Sequence, residues 1–105
     1  MIKPIIAAAL ALAPHSTATS DALPPLRYQQ NMAAVMVTVH PSMLAEACNV
    51  KVPPGYTLMA CSFEDQGTPV IIMPNPCLFA DGDYYARILC HESGHVNGWP
   101  ATHGD

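Results

Sequence analysis

The pentapeptide His91-Glu92-Ser93-Gly94-His95 sets two imidazoles four residues apart, with a carboxylate next to the first. On a helix, residues four apart stack on one face, so His91 and His95 can converge on a single cation. Glu92 then lies about 100° further around the axis, within reach of a water on that cation. Nitrogen ligands beside a carboxylate base are the components of metal-assisted hydrolysis. Gly98 and His103 follow closely, and His103 offers a third nitrogen.

The chemistry requires that the segment be helical, and its flanks predict that it is. Asp81-Gly82-Asp83 supplies a turn and two candidate N-caps, Tyr84 to Leu89 continues without a breaker, and Gly98 and Pro100 end the helix. Tyr84, Ile88, His91 and His95 share one stripe, Tyr85, Leu89, Glu92 and Val96 the adjacent one, and Arg87, Cys90, Ser93 and Asn97 lie elsewhere. A face with the spacing of a core face thus carries His, Glu and His, and such a break in binary pattern points to function. Gly94 in mid-helix costs about 1 kcal/mol relative to Ala, which implies that something packs closely against its backbone.

The segment resembles the zincin metallopeptidases, and within them the metzincin pattern H-E-x-x-H-x-x-G-x-x-H, which His91, Glu92, His95 and Gly98 match position for position. The third histidine departs from it: His103 follows Gly98 by five residues, across Trp99-Pro100-Ala101-Thr102, where metzincins have three. The resemblance implies zinc (Zn2+) on His91 and His95 with Glu92 as general base. It makes His103 the best candidate for the third ligand and Asp105 its competitor. Metzincins also carry a methionine-containing turn beneath the zinc in a C-terminal subdomain, whereas all six methionines here precede the motif. The lower wall of a cleft is therefore expected to come from upstream residues or from a partner, or to be missing. The resemblance covers little beyond the last quarter of the chain.

At 105 residues the chain can hold one domain. Met1-Ile2-Lys3 followed by an apolar run from Ile5 to Ala13 reads as a secretory signal over residues 1–22, too short to span a bilayer. Cleavage fits after Ala18 or after Ala22, the latter preferred because Pro24-Pro25 beyond it looks like a mature N-terminal arm. The expected product is an exported domain over residues 23–105, secreted or periplasmic, with no stable membrane span.

Export gives meaning to Cys48, Cys61, Cys77 and Cys90, which remain in a domain of roughly 80 residues whose core alone gives marginal stability. Of three connectivities, Cys48 with Cys61 and Cys77 with Cys90 is favoured, because each pair closes a short loop containing proline or glycine turns. No C-x-x-C spacing supports a cysteine metal site, and Cys90 points away from the histidine stripe. The formal charge is −4, with only Lys3, Arg27, Lys51 and Arg87 basic, which argues against a nucleic-acid partner. Only Glu92 among the scattered acids has a positional argument for chemistry.

Ala33 to Val39 is dense in β-branched residues and predicts a mostly buried strand, ended by His40-Pro41. Ser42 is placed to cap a short helix from Met43 to Cys48. A turn at Pro53-Pro54-Gly55, a weakly alternating strand from Tyr56 to Cys61, a hairpin connection at Glu64-Asp65-Gln66-Gly67 and a strand from Thr68 to Met73 follow. This order predicts a small α+β domain: a twisted sheet of about three strands, a short helix and the zinc-bearing helix covering the sheet, stapled by disulfides. The zincin resemblance further implies that Val70 to Met73 is an edge strand that binds substrate by strand addition, with Pro69 compatible with an edge. Trp99 is read as packing the turn after Gly98, Tyr84 as supporting the site from below, and His15 and His40 as remote from any metal.

The functional expectation is an exported zinc peptidase acting on a peptide or protein. The alternatives are a secreted zinc-stabilised binding or inhibitor module without activity, and a disulfide-stapled exported protein without metal.

Overall fold

The computed structural model describes residues 9–14 and 23–104, in two compact units, Met1–Pro74 and Asn75–Asp105. The described elements are α+β. The first unit holds strands β1 (Ala9–Pro14), β2 (Val35–Val39), β3 (Tyr56–Asp65) and β4 (Thr68–Pro74) and helix α1 (Leu44–Cys48). The second holds a 3-10 turn at Pro76–Phe79 and helix α2 (Tyr84–Val96).

The strands form one mixed sheet in the order β1-β3-β4-β2, with β1 antiparallel to β3, β3 antiparallel to β4, and β2 parallel to β4. The sheet thus has four strands where about three were expected. The additional one, β1, comes from within the apolar run read as a leader: Ala9 to Pro14 pair with Ser62 to Tyr56. The cleavage sites after Ala18 and Ala22, and His15, lie outside the described residues.

Two strand expectations are corrected. β4 is interior, flanked by β3 and β2, so Val70 to Met73 is not an edge. Pro69 is tolerated there because β2 begins its register one residue later, at Val35 opposite Val70. The strand from Val35 to Val39 is itself an edge and is largely exposed, with Val35 50%, Met36 46% and Val37 40% accessible, so its β-branched run does not signal burial.

The core of this unit is Leu44, Cys48, Leu58, Cys61, Val70 and Ile72. Val70 and Ile72 show the two-residue period of a strand, and Leu44 and Cys48 the four-residue period of a helix. Leu58 and Cys61 are three apart, because the β1–β3 register shifts between Ala11, opposite Ala60, and Leu12, opposite Leu58. That bulge leaves Met59 without an opposite residue and explains the weak alternation of the strand. The β3–β4 turn is Gln66-Gly67, both at positive φ (49° and 84°), the geometry of a two-residue hairpin with primed twist.

α1 packs on β3 and β4, and the Cys48–Cys61 disulfide joins it covalently to β3. The expected Ser42 cap is replaced by His40, whose Nδ1 accepts from the Ser42 amide at 3.1 Å and opens a 3-10 turn over Pro41–Met43 ahead of α1. Pro41 favours this arrangement, since it fits the first position of a helical turn and has no amide to satisfy.

Candidate metal centre

The helix that carries the histidines is fixed at both ends by its own residues. Asp83 is the N-cap, its carboxylate accepting from the amides of Tyr85 at 3.0 Å and Ala86 at 3.1 Å. At the other end Gly98 takes a φ of 103°, the Trp99 amide donates to the Gly94 carbonyl at 2.8 Å, and the Gly98 amide donates to that of His95 at 3.1 Å. This paired 6→1 and 5→2 closure is the Schellman motif, and it needs a residue without a Cβ at Gly98. Midway along α2, Cys90 bonds to Cys77 in the preceding 3-10 turn. Both disulfides follow the favoured connectivity. No residue of α2 is buried, so its histidine face is not a core face as the pattern alone suggested.

His91, His95 and His103 come together. Nε2 of His91 lies 3.2 Å from Nε2 of His95 and 3.3 Å from Nε2 of His103. Nitrogens sharing one tetrahedral ion at metal–nitrogen distances of 2.0–2.1 Å stand about 3.4 Å apart, so the spacing matches a shared cation. The tautomers point the same way. His95 Nδ1 lies 2.9 Å from the Trp99 carbonyl oxygen, which can only accept, so Nδ1 carries a hydrogen and Nε2 is the nitrogen turned toward His91. One hydrogen on His91 Nε2 cannot point straight at both neighbours, whereas a cation among the three rings meets a lone pair from each. The three histidines can therefore hold a metal ion.

Trp99 organises this cluster. Its ring stacks on His95 with centroids 4.8 Å apart and an interplanar angle of 17°, and stands edge-on to His103 at 4.8 Å and His91 at 5.1 Å. All three imidazoles thus border one indole, which is held by a 2.8 Å hydrogen bond from its Nε1 to the Gly104 carbonyl. The indole thus gives the histidines an aromatic neighbour from inside the motif. Gly94 makes room for it: a Cβ there would stand 3.2 Å from Cε3 of Trp99, which accounts for a glycine in mid-helix. Trp99 packs the turn as read from the sequence. Its carbonyl as the partner of His95 was missed, although its place just after the helix-ending Gly98 sets it against the last turn.

His103 reaches the cluster from a turn closed by its own amide, which donates to the Pro100 carbonyl at 2.8 Å, and its φ is 63°. A non-glycine residue at positive φ is uncommon, and here the imidazole it carries meets the other two. Asp105 lies outside the described residues. Glu92 is exposed and lines an open groove of about 180 Å³ together with Tyr84, Arg87, Ile88 and His91. Tyr84 is a largely exposed wall of this groove rather than a support from below. Arg87, assigned elsewhere on the helical wheel, joins it because it precedes His91 by one turn. His40 belongs to the other unit, where it caps a helical turn.

The chain matches no protein-family model, no curated protein and no solved structure.

Proposed function

We propose that this chain is a zinc-dependent peptidase whose ligands are His91, His95 and His103 and whose general base is Glu92. The observation that carries the reading is the convergence of the three histidines, with Nε2 of His91 3.2 Å and 3.3 Å from those of His95 and His103, and with the Nδ1 of His95 turned to the Trp99 carbonyl. Zinc bound there would supply Lewis acidity, lowering the pKa of a water toward about 7 and polarising a carbonyl. Glu92 shares the groove with His91, and its carboxylate takes the proton of the attacking water and delivers it to the leaving amine. Tyr84 and Ile88 flank the substrate chain along the same groove.

Two disulfides favour an oxidising compartment, and among the described residues no helix is long and apolar enough to cross a membrane. We place the protein outside the cytoplasm, secreted or periplasmic.

One observation favours a second reading, a zinc-stabilised binding module: α2 has no buried residue, so a metal would add a constraint that packing does not supply. Zinc measured by elemental mass spectrometry on the oxidised protein, beside His95→Ala and His103→Ala, tests the ligand set. A broad peptide panel with Glu92→Gln then separates the readings. Cleavage lost in Glu92→Gln with zinc retained identifies the peptidase; stoichiometric zinc without cleavage in either protein leaves the binding module. Folded protein that takes up no zinc excludes both.

A further inference from the structure

The groove beside the histidines is electrically polar along its length. Along α2 the lining residues follow in the order Tyr84, Arg87, Ile88, His91 and Glu92, so that Arg87 lies about one helical turn before His91, with Tyr84 and Ile88 as apolar walls. One turn is about 5.4 Å along the axis, comparable with the ~3.5 Å step of an extended peptide plus a short side chain. Arg87 is the only Lys or Arg between residues 75 and 105. Among the described residues it makes no ion pair or side-chain hydrogen bond. The nearest candidate partner in sequence, Asp83, directs its carboxylate to the amides of Tyr85 and Ala86. An unpaired guanidinium in a groove that also holds the proposed base has a planar fork free for a bidentate carboxylate.

We propose that Arg87 is a specificity-determining residue that binds a carboxylate of the peptide substrate, one or two residues from the bond that is cleaved. The carboxylate is either an Asp or Glu side chain or the chain terminus. This inference rests on the zinc peptidase reading and adds the substrate class to it.

The test measures binding, so it does not depend on turnover. Full-chain oxidised protein is loaded with zinc, its stoichiometry is confirmed, and short peptide hydroxamates are titrated by calorimetry in matched pairs. One pair differs only as Glu against Gln beside the hydroxamate, the other only as free C-terminal acid against amide. The carboxylate member of one pair is expected to bind about tenfold tighter than its neutral partner, that preference vanishing in Arg87→Gln and returning in part in Arg87→Lys. A split in the first pair identifies an acidic side chain, and a split in the second the chain terminus. Equal affinities within both pairs, or a preference that survives Arg87→Gln in a variant that still holds zinc, overturn the subsite while leaving the metal reading intact. Failure of the protein to load zinc, by contrast, removes the metal reading and this subsite with it.

Discussion

Trp99 holds His95 in two ways at once: its indole stacks on the imidazole at 4.8 Å and 17°, and its main-chain carbonyl accepts the Nδ1 hydrogen at 2.9 Å. Ring and carbonyl together fix both the plane and the Nδ1 hydrogen of a histidine in the candidate metal cluster. Outer-shell partners of this kind typically change metal affinity by 10–100-fold. Trp99→Ala removes the plate but not the carbonyl, and a loss of about tenfold in zinc affinity is expected by chelator competition. Trp99→Phe keeps a stacked ring and is expected to lose less. Equal affinities in all three proteins would show that the indole only fills space.

Gly94 separates helix stability from site geometry. Alanine there gains about 1 kcal/mol of helix propensity. Its Cβ would stand 3.2 Å from the Trp99 ring, which is also tethered to Gly104 and stacked on His95, so displacement of the ring passes to the histidine. Gly94→Ala is expected to melt no lower than the wild type without metal, and to bind zinc several-fold more weakly. Thermal melts with and without zinc read both quantities. A variant equally stable and equally avid would dissociate Trp99 from the metal.

What was legible in the sequence was local. The Asp83 cap, the Gly98 closure, the Gln66-Gly67 hairpin turn and the two 13-residue disulfide separations each depend on residues a few positions apart, and each formed as their chemistry dictates. The histidine cluster was legible for the same reason. Strand order was not, because it is set by pairing between distant segments: β2 joins β4 in parallel across the intervening α1 and β3, and nothing in Val70 to Met73 marks it as interior. Periodicity also could not tell an exposed edge such as Val35–Val39 from a buried strand, nor show that an apolar N-terminal run can pair with β3.

The two disulfides are expected to differ in their effect on metal binding. Cys77–Cys90 ties α2, which buries no side chain, to its preceding turn, whereas Cys48–Cys61 reinforces a helix already seated in the core. Each closes a loop short enough that its loss costs on the order of 3 kcal/mol. Paired serine replacement of Cys77 and Cys90 should lower zinc affinity substantially. The same change at Cys48 and Cys61 should reduce thermal stability with zinc affinity nearly unchanged. The opposite ranking by calorimetric titration would mean that α2 is ordered from elsewhere.

Removal of the N-terminal segment is a test of modularity. The histidines, Trp99 and Arg87 all lie in Asn75–Asp105, while β1 pairs only with β3 in the other unit. A chain beginning at Leu23 is therefore expected to hold zinc with unaltered stoichiometry and affinity. Faster amide exchange should be confined to the Tyr56–Ser62 part of β3 that loses its β1 partner. Loss of zinc on this truncation would tie the N-terminal segment to the site.

His103 offers the sharpest separation of ligand from scaffold. Its φ of 63° places a residue with a Cβ in the left-handed region, at a cost of about 1 kcal/mol that glycine does not incur. Without metal, His103→Gly should therefore be more stable than His103→Ala by about that amount, since both lack the imidazole and only alanine keeps the strain. With zinc present, both should lose affinity on the order of 100-fold or more, because one of three converging nitrogens is gone. Metal-free melts and zinc titrations on the two variants give four numbers that a merely structural histidine does not reproduce. If His103 only packed against Trp99 and His91, both variants would lose stability without metal and keep zinc on the remaining pair at nearly wild-type affinity.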